Sequence, residues 1–298
     1  MKLKFVNESR EDKVFDVVVT TLFIILMLLV LYPLYFIVIA SVSNPDLVSS
    51  GEVLFIPKGI NFDAYKYILK DQRIWQGYYN TILYTFFGTI FALFLTIPSG
   101  YALSRPDLKG KKYIMGYMIF TMYFGGGLIP TYLVIKSLGL IDTPYVLMVL
   151  GSFSVFNLII TRTYFEATIP LELQEAAEID GCSIPRFFLS IVLPLSKSIV
   201  AIMLLYYAVG HWNSFFNGMM YVNTQSLYPL QVILRDILIS GQNVQADTTD
   251  IEYILEMERI ARTIKYGVII VSTLPVLVLY PFVQKHFVKG VMIGSVKG

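Results

Sequence analysis

The amino-acid sequence predicts an all-α membrane protein in which six helices cross the bilayer. Of its 298 residues, 56% are hydrophobic and only 15% are charged. The mean hydropathy of +0.65 is too high for one or two water-soluble domains. The chain also contains six apolar stretches, and the basic residues in the connections between them are unevenly distributed. These observations together exclude a soluble globule.

Each apolar stretch is a candidate membrane-spanning helix. A hydrocarbon core of roughly 30 Å requires about 20 mostly apolar residues, because the backbone finds no water there and must bond within the helix. The fourth stretch is short and carries Ser152, Ser154 and Asn157. The first resembles a signal peptide, but its apolar length favours a retained helix. The predicted spans are residues 17–40, 79–103, 113–135, 145–160, 198–216 and 264–283.

The short connections predict the orientation of the chain, because connections rich in Lys and Arg stay in the cytoplasm. The segment from Ser104 to Lys112 contains four basic residues, whereas the segment from Ser137 to Thr143 contains none. The first connection is therefore expected inside and the second outside. With six spans, both termini are then cytoplasmic. We expect a single membrane domain over residues 1–298.

Charge and cysteine content exclude several other functions. The net charge of +2 gives no polybasic surface for nucleic acid. Cys182 is the single cysteine, which excludes an intrachain disulfide, and two separate histidines do not form a metal cluster. No phosphate-binding Gly-x-x-x-x-Gly-Lys-Ser/Thr motif and no hydrolase or metalloprotease motif occurs. The chain is therefore not expected to be an enzyme or to hold a cofactor.

The connection between the fourth and fifth spans, residues 161–197, is much longer than a turn requires. Pro170 fits the first turn of a helix, and Gly181 is a natural left-handed stop after it. Ser183 can cap a second helix with Pro185 in its first turn. The sequence therefore predicts a cytoplasmic helix–turn–helix at the membrane surface.

The first of these short helices carries a row of acidic side chains. Glu172, Glu175 and Glu178 are spaced three apart and share one helix face, where like charges each cost some tenths of a kcal/mol. A merely solvated acidic face would explain this spacing. The neighbouring Ala176 and Ala177 favour a second interpretation, since their small side chains allow another protein to approach the backbone.

A longer pattern favours the docking interpretation. Glu175-Ala176-Ala177, three residues, Gly181, nine residues and then Ile191-x-Leu193-Pro194 resembles the EAA motif of ABC importer permeases at all its fixed positions. The resemblance covers nearly the whole chain and is nearest to the smaller, maltose-type second permease of the carbohydrate-importer branch.

The resemblance implies a role for each matching residue. The hairpin would dock in a groove of a cytoplasmic ATPase, with Glu175 against a basic residue, Ala176 and Ala177 in close packing and Gly181 at the turn. Ile191, Leu193 and Pro194 complete the coupling motif. The C-terminal tail, residues 284–298, would approach the ATPase dimer.

The resemblance also implies an assembly in the bacterial cell membrane. Its other members would be a second homologous permease, two ATPase subunits that hold ATP and Mg, and an extracellular or periplasmic sugar-binding protein. The external segment 218–261 would reach toward that binding protein. A stand-alone secondary carrier or channel is the alternative, but the predicted spans lack the internal acidic residues that ion-coupled carriers use.

Polar residues in the fourth and fifth spans are candidates for the solute pathway, because amides and an aromatic ring suit a carbohydrate. They are Asn157, Trp212, Asn213 and Asn217. Trp212 could equally be an interfacial anchor, and Asn157 could join two helices. Gly125, Gly126 and Gly127 favour a helix break or close helix packing over a phosphate loop. The expected solute is an oligosaccharide, by resemblance alone.

Overall fold

The structure is a computed structural model that describes residues 10–242, 264–278 and 281. Its regular elements are helices, and no strand occurs among these residues, which confirms the predicted all-α class. The α-helices, in chain order, are α1 (Arg10–Ser41), α2 (Pro45–Ser49), α3 (Asp63–Lys70), α4 (Gln72–Ser104), α5 (Lys111–Tyr123), α6 (Leu128–Ser137), α7 (Pro144–Val149), α8 (Val155–Thr168), α9 (Leu171–Ile179), α10 (Ile184–Phe187), α11 (Leu193–Leu195), α12 (Lys197–Trp212), α13 (Phe215–Tyr221), α14 (Leu230–Gln242) and α15 (Ile264–Val278). A π-helical segment covers Phe188–Val192, and a 3₁₀ turn covers Gln225–Leu227.

Helices α1 and α4 contain the first two predicted spans. Among the described residues, they are the only single helices long and apolar enough to cross a membrane. Most apolar side chains of α1 are exposed, as expected of a helix surrounded by lipid. Helix α4 is more buried, because it packs against α7, α8 and α12.

The third predicted span is bent, and a second bend lies just before the fifth predicted span. Helices α5 and α6 meet at 114° across residues 124–127, where Gly127 has a φ of +84°. The segment Ile184–Leu195 meets α12 at 82°. With each bent pair counted as one span, the described residues contain up to four candidates, so the count of six stays a prediction.

The fourth predicted span, residues 145–160, is not one continuous helix, and this expectation is corrected. Its backbone breaks between α7 and α8, where Gly151 has a φ of +83° and the Ser154 side chain caps α8. Side chains of α12 bind the interrupted backbone. The Ser154 N–H donates to the Tyr207 hydroxyl at 3.3 Å, and His211 Nδ1 lies 3.2 Å from the Leu147 carbonyl oxygen.

Two other boundaries differ from the sequence-based expectation. Helix α8 continues to Thr168, so the predicted loop 161–197 begins as helix. Helix α12 ends at Trp212, before the predicted end of the fifth span at residue 216. Helix α15 covers residues 264–278 of the sixth span. Residues 243–261 of the external segment and the tail 284–298 lie outside the described residues.

The described contacts form two compact units. One contains the described residues of Met1–Lys70 and Ile237–Val271, and the other those of Asp71–Asp236 and Ser272–Gly298. The single domain over residues 1–298 therefore stays a prediction.

The second unit has a core that joins α4, α8, α9, α10 and α12. Its buried side chains are Ala92, Ile97, Tyr101, Phe165, Ile169, Ala177, Phe187, Val192, Ile199, Met203 and Tyr207. Helices α4 and α8 approach closely at Gly100, where a Cβ atom would lie 2.6 Å from Cγ2 of Thr161. This core therefore connects α4 to α9, the helix that carries the acidic row.

Candidate functional site

The candidate site is the coupling hairpin, which is named for its predicted role and defined here as residues 170–195. Its first arm, α9, ends in a Schellman motif. The Cys182 N–H donates to the Ala177 carbonyl oxygen at 2.9 Å, and the Gly181 N–H donates to that of Glu178 at 3.0 Å. Gly181 has a φ of +74°, which a residue without a side chain adopts at low cost. The predicted turn therefore has a defined hydrogen-bonded geometry.

The second arm is less regular than the sequence suggested. Ser183 makes no side-chain cap; its carbonyl oxygen instead accepts from the Phe187 N–H at 2.9 Å. Helix α10 passes into the π-helical segment and then into α11, which contains Pro194. Because proline has no N–H to donate within a regular helix, the helical hydrogen-bond pattern is interrupted near Pro194. Ile191 and Leu193 are half-buried against the core, and Pro194 is exposed.

The acidic row faces outward from the hairpin. Glu172, Glu175 and Glu178 are exposed, and so is Ala176. Among the residues that the structure describes, neither Glu172 nor Glu175 forms an ion pair. Ile179 beside them is 87% exposed, although it is strongly apolar. An unneutralised acidic row next to an exposed apolar side chain suits a partner surface that is basic at one point and apolar at another.

Ala177 lies on the opposite side of α9 from this exposed surface. It is 9% exposed and belongs to the core with Tyr101 and Phe165. The structure therefore places the two alanines of the motif in different surroundings: Ala176 is open, whereas Ala177 packs within the chain. Close packing of Ala177 against an ATPase stays a prediction.

Arg105 supports the base of the hairpin, a role that sequence reasoning missed. The sequence suggested only a charge in a cytoplasmic connection, but the side chain is 6% exposed. Its Nη2 donates to the carbonyl oxygens of Phe165 at 3.3 Å and Ile169 at 3.0 Å, just before α9 begins. These carbonyls end α8, where the helix dipole favours a cation. A basic residue directly after an apolar helix gives no sequence signal of such burial.

Tyr101 connects α4 to α9, the first arm of the hairpin. Its hydroxyl donates to Gln174 Oε1 at 3.3 Å, and Gln174 Nε2 donates to Glu178 at 3.0 Å. The Arg105 guanidinium carbon lies 5.0 Å from the Tyr101 ring centroid. Tyr101 therefore holds the hairpin from its buried side, Arg105 holds the carbonyls that lead into it, and Glu172 and Glu175 stay exposed.

The predicted pathway residues are placed in unlike environments. Trp212 is 5% exposed, and its Nε1 donates to the Ser272 carbonyl oxygen at 3.0 Å. Asn213 is exposed and donates its amide to the Val209 carbonyl oxygen. Asn157 is buried near the start of α8, and Asn217 is half-buried on α13. Contact of these residues with solute stays a prediction.

Asp142 joins two connections that the sequence assigned to the external side. Its carboxylate accepts the backbone N–H groups of Asn223 and Thr224, both at 2.8 Å, and the Thr224 hydroxyl at 2.6 Å. Its own N–H donates to the Tyr221 carbonyl oxygen at 2.8 Å, with φ at +58°. The Thr224 hydroxyl, with the two backbone donors, lowers the pKa of this carboxyl below its ordinary 3.8.

The lowered pKa of Asp142 predicts a loss of stability in acid. A carboxylate with a depressed pKa in the folded state stabilises fully above its ordinary value of 3.8, and the contribution disappears as pH falls through the folded pKa. The melting temperature of the wild type should exceed that of Asp142→Asn at pH 7 and 5. The difference should shrink below about pH 4. Asp107→Asn, at an exposed carboxylate, is the control; an unchanged Asp142 difference at pH 3 would contradict the assignment.

The apolar helices and the exposed acidic hairpin together fit one class of protein, the membrane-embedded permease subunits of transport systems. Residues 74–293 match the family model described as binding-protein-dependent transport system inner membrane component. The chain belongs to this family, and it is therefore a membrane protein.

Individual relatives agree with this assignment. The chain is 38% identical over 288 residues to the polygalacturonan/rhamnogalacturonan transport system permease protein YtcP of Bacillus subtilis (strain 168), covering 97% of this chain and 100% of that protein. It is 24% identical to the arabinooligosaccharides transport system permease protein AraQ of the same organism, covering 98% and 99%.

A solved structure is also similar. It is a chain from the crystal structure of a bacterial ABC transporter involved in the import of the acidic polysaccharide alginate. That chain is 33% identical, with a TM-score of 0.84 and coverage of 95% of this chain and 99% of its own. The resemblance to permeases of carbohydrate ABC importers is confirmed.

Proposed function

We propose that this chain is one of two permease subunits of an ATP-driven importer for oligosaccharides that contain uronic acids. The observation that carries the solute class is shared by two relatives above 30% identity. One is named for polygalacturonan and rhamnogalacturonan, and the other comes from a transporter for the acidic polysaccharide alginate. Both names describe carbohydrates that carry carboxylates.

The charge distribution of the chain is compatible with an anionic solute. Its predicted spans contain no Asp or Glu in their interiors. A carboxylate in a low-dielectric pathway would repel an anionic sugar strongly, because Coulomb interactions there are weakly screened. A pathway free of acidic side chains therefore presents no like-charge repulsion to a uronate.

The proposal includes six spans, cytoplasmic termini and a coupling hairpin on the cytoplasmic side. A second permease, two ATPase subunits and an external binding protein complete the assembly, and the ATPase subunits hold ATP and Mg. The exposed acidic row and Ile179 support this arrangement, since they offer a docking surface at the end of the molecule that carries the basic connection 104–112.

The break in the third predicted span is a candidate part of the solute pathway. Residues 124–130 are exposed, although they lie inside a predicted membrane span. Irregular backbone at membrane depth is tolerated only against protein or water, because lipid leaves its polar groups unsatisfied. We place this break on the pathway or against the second permease, with Tyr123 and Phe124 as aromatic neighbours for sugar rings.

Transport by the reconstituted system tests the proposal. Liposomes that contain both permeases and both ATPase subunits should take up galacturonate oligomers when ATP and the binding protein are supplied. Uptake should exceed that of neutral arabinose or galactose oligomers by about tenfold, since charge-assisted hydrogen bonds to a carboxylate contribute about 1.5–3 kcal/mol.

Two controls separate the alternatives. Liposomes with this chain alone should be inactive, and uptake there without ATP would favour the secondary carrier or channel. Equal ATP-driven uptake of neutral and acidic oligomers would retain the importer and contradict the uronate solute.

A further inference from the structure

Helix α4 is bonded at one end to the coupling hairpin and at the other end to the segment around the 3₁₀ turn. At about 1.5 Å per residue, its 33 residues extend about 50 Å, which exceeds the roughly 30 Å hydrocarbon core. Its two ends therefore emerge on opposite sides of the bilayer that it spans. Among the described residues, α1 is the only other single helix that is long and apolar enough to cross a membrane.

The outer end of α4 binds backbone groups of residues 226–230. Asn80 Nδ2 donates to the carbonyl oxygens of Ser226 at 2.8 Å and Tyr228 at 3.0 Å. The Tyr84 hydroxyl donates to the Leu227 carbonyl oxygen at 3.0 Å. These bonds attach α4 to the main chain of the segment and not to side chains that could rotate away.

Thr81 and Gly77 complete the outer attachment. Thr81 Oγ1 accepts the Leu230 N–H at 2.8 Å. Gly77 lets the backbone of α14 approach, because a Cβ at that position would lie 3.0 Å from the Leu230 Cα. The attachment is largely buried: Asn80 is 5% exposed and Thr81 is 1% exposed.

The inner end of α4 is bonded both within the hairpin and just before it. Tyr101 donates to the Gln174 side chain on α9, and Arg105, the residue after α4, donates to the backbone carbonyls of Phe165 and Ile169, which precede the hairpin. A displacement of the hairpin together with the end of α8 that leads into it must therefore move α4 or break these buried hydrogen bonds. Breaking such bonds leaves polar groups unsatisfied, which is costly.

The region of α4 around Pro98 is packed by two other helices, α12 and α8. Pro98 removes one hydrogen bond inside the helix and is a potential kink. Just before it, the Thr96 and Tyr207 hydroxyl oxygens lie 2.6 Å apart; just after it, Gly100 packs against Thr161. Helices α12 and α8 thus hold the proline region between them.

We infer that α4 transmits displacement between the coupling hairpin and residues 223–230 of the external segment. Tyr101 and Arg105 are the inner positioning residues, and Asn80 and Tyr84 are the outer ones. This inference rests on the proposed function, which supplies the ATPase at the hairpin. Closure of the ATPase moves the hairpin, α4 follows, and the segment on the far side changes its surroundings. The coupling is reciprocal by thermodynamic necessity.

A spin label on the external segment tests this inference. The parent protein is Cys182→Ser with Gln225→Cys, an exposed position in the 3₁₀ turn, labelled with a nitroxide in the complete transporter. Trapping with ATP and vanadate should change the spectrum of the label. Tyr101→Phe, which removes only the hydroxyl bond to Gln174, and Arg105→Gln should each reduce this change about fivefold.

Matched variants make the result specific. Lys109→Gln, at an exposed residue of the inner connection, should leave the spectral change intact. Tyr84→Phe should reduce it from the outer end, and it keeps the test valid if Arg105→Gln does not assemble. A parent-like change in Tyr101→Phe and Tyr84→Phe, with normal nucleotide trapping, would overturn the inference.

Failure of the proposed function would look different. A complex with no nucleotide trapping in the parent protein would contradict the ATP-driven importer itself. Normal trapping in the parent with a silent label would contradict only transmission through α4.

Discussion

Glu175→Lys is expected to reduce ATP-driven uptake by tenfold or more while the protein stays in the membrane at its normal level. Glu175 is exposed and forms no ion pair with the described residues, so the fold of this chain does not depend on the Glu175 carboxylate. Against a basic residue of the ATPase, however, lysine creates like-charge repulsion, which costs several kcal/mol at an interface. Each 1.4 kcal/mol corresponds to about tenfold in binding.

The same substitution distinguishes docking from a merely solvated acidic face. Without a partner, Glu175→Lys would relieve repulsion with Glu172 and Glu178 and stabilise α9 by a few tenths of a kcal/mol. Uptake, ATPase activity and membrane level should be measured together. Asp107→Lys, a charge reversal in an exposed connection, is the control. Normal uptake in Glu175→Lys would contradict the docking role, and rescue by an acidic substitution in the ATPase groove would support it.

Gly100→Ala should destabilise the protein by about 1–3 kcal/mol, which is the usual cost of an inserted group in a packed interior. The new methyl group would lie 2.6 Å from Thr161 Cγ2 and 2.9 Å from its Cβ, with the Arg162 backbone nitrogen at 3.3 Å. A β-branched side chain on a helix has little rotational freedom, so α4 and α8 must separate. The melting temperature of the purified protein is the measurement.

Gly116→Ala is the matched control, and it should change stability in the opposite direction. Gly116 is also inside a helix, α5, but a Cβ there would meet nothing within 4 Å. Replacement of glycine by alanine inside a helix contributes about 1 kcal/mol through backbone entropy. If both variants are stabilised equally, the close approach of α4 and α8 does not limit stability.

Much of the hairpin could be predicted because its determinants are local. Gly181 favours the left-handed turn through its own backbone freedom, and Pro170 and Pro185 mark helix starts through their fixed φ. The acidic row follows from helical periodicity alone. These features depend on neighbours a few positions away, so a single sequence contains the information.

The breaks in the spans were harder to predict. The glycines at 125–127 indicated a possible break in the third span, and the structure has one there. The break between α7 and α8 was missed, because hydropathy averages over a window and does not detect a turn that other helices satisfy. Tyr207 and His211 supply those contacts from more than fifty positions away.

The sequence by itself determined that this is an all-α membrane protein with an acidic hairpin of the permease type, since hydropathy, helical spacing and turn residues act locally. Only the tertiary structure decided that Ala177 packs inward, that Arg105 is buried against the end of α8, and that α4 bonds to backbone groups at its outer end and to the Gln174 side chain at its inner end. Those outcomes depend on which distant groups meet. A buried guanidinium is stable only where carbonyl oxygens converge on it, and that convergence is created by folding.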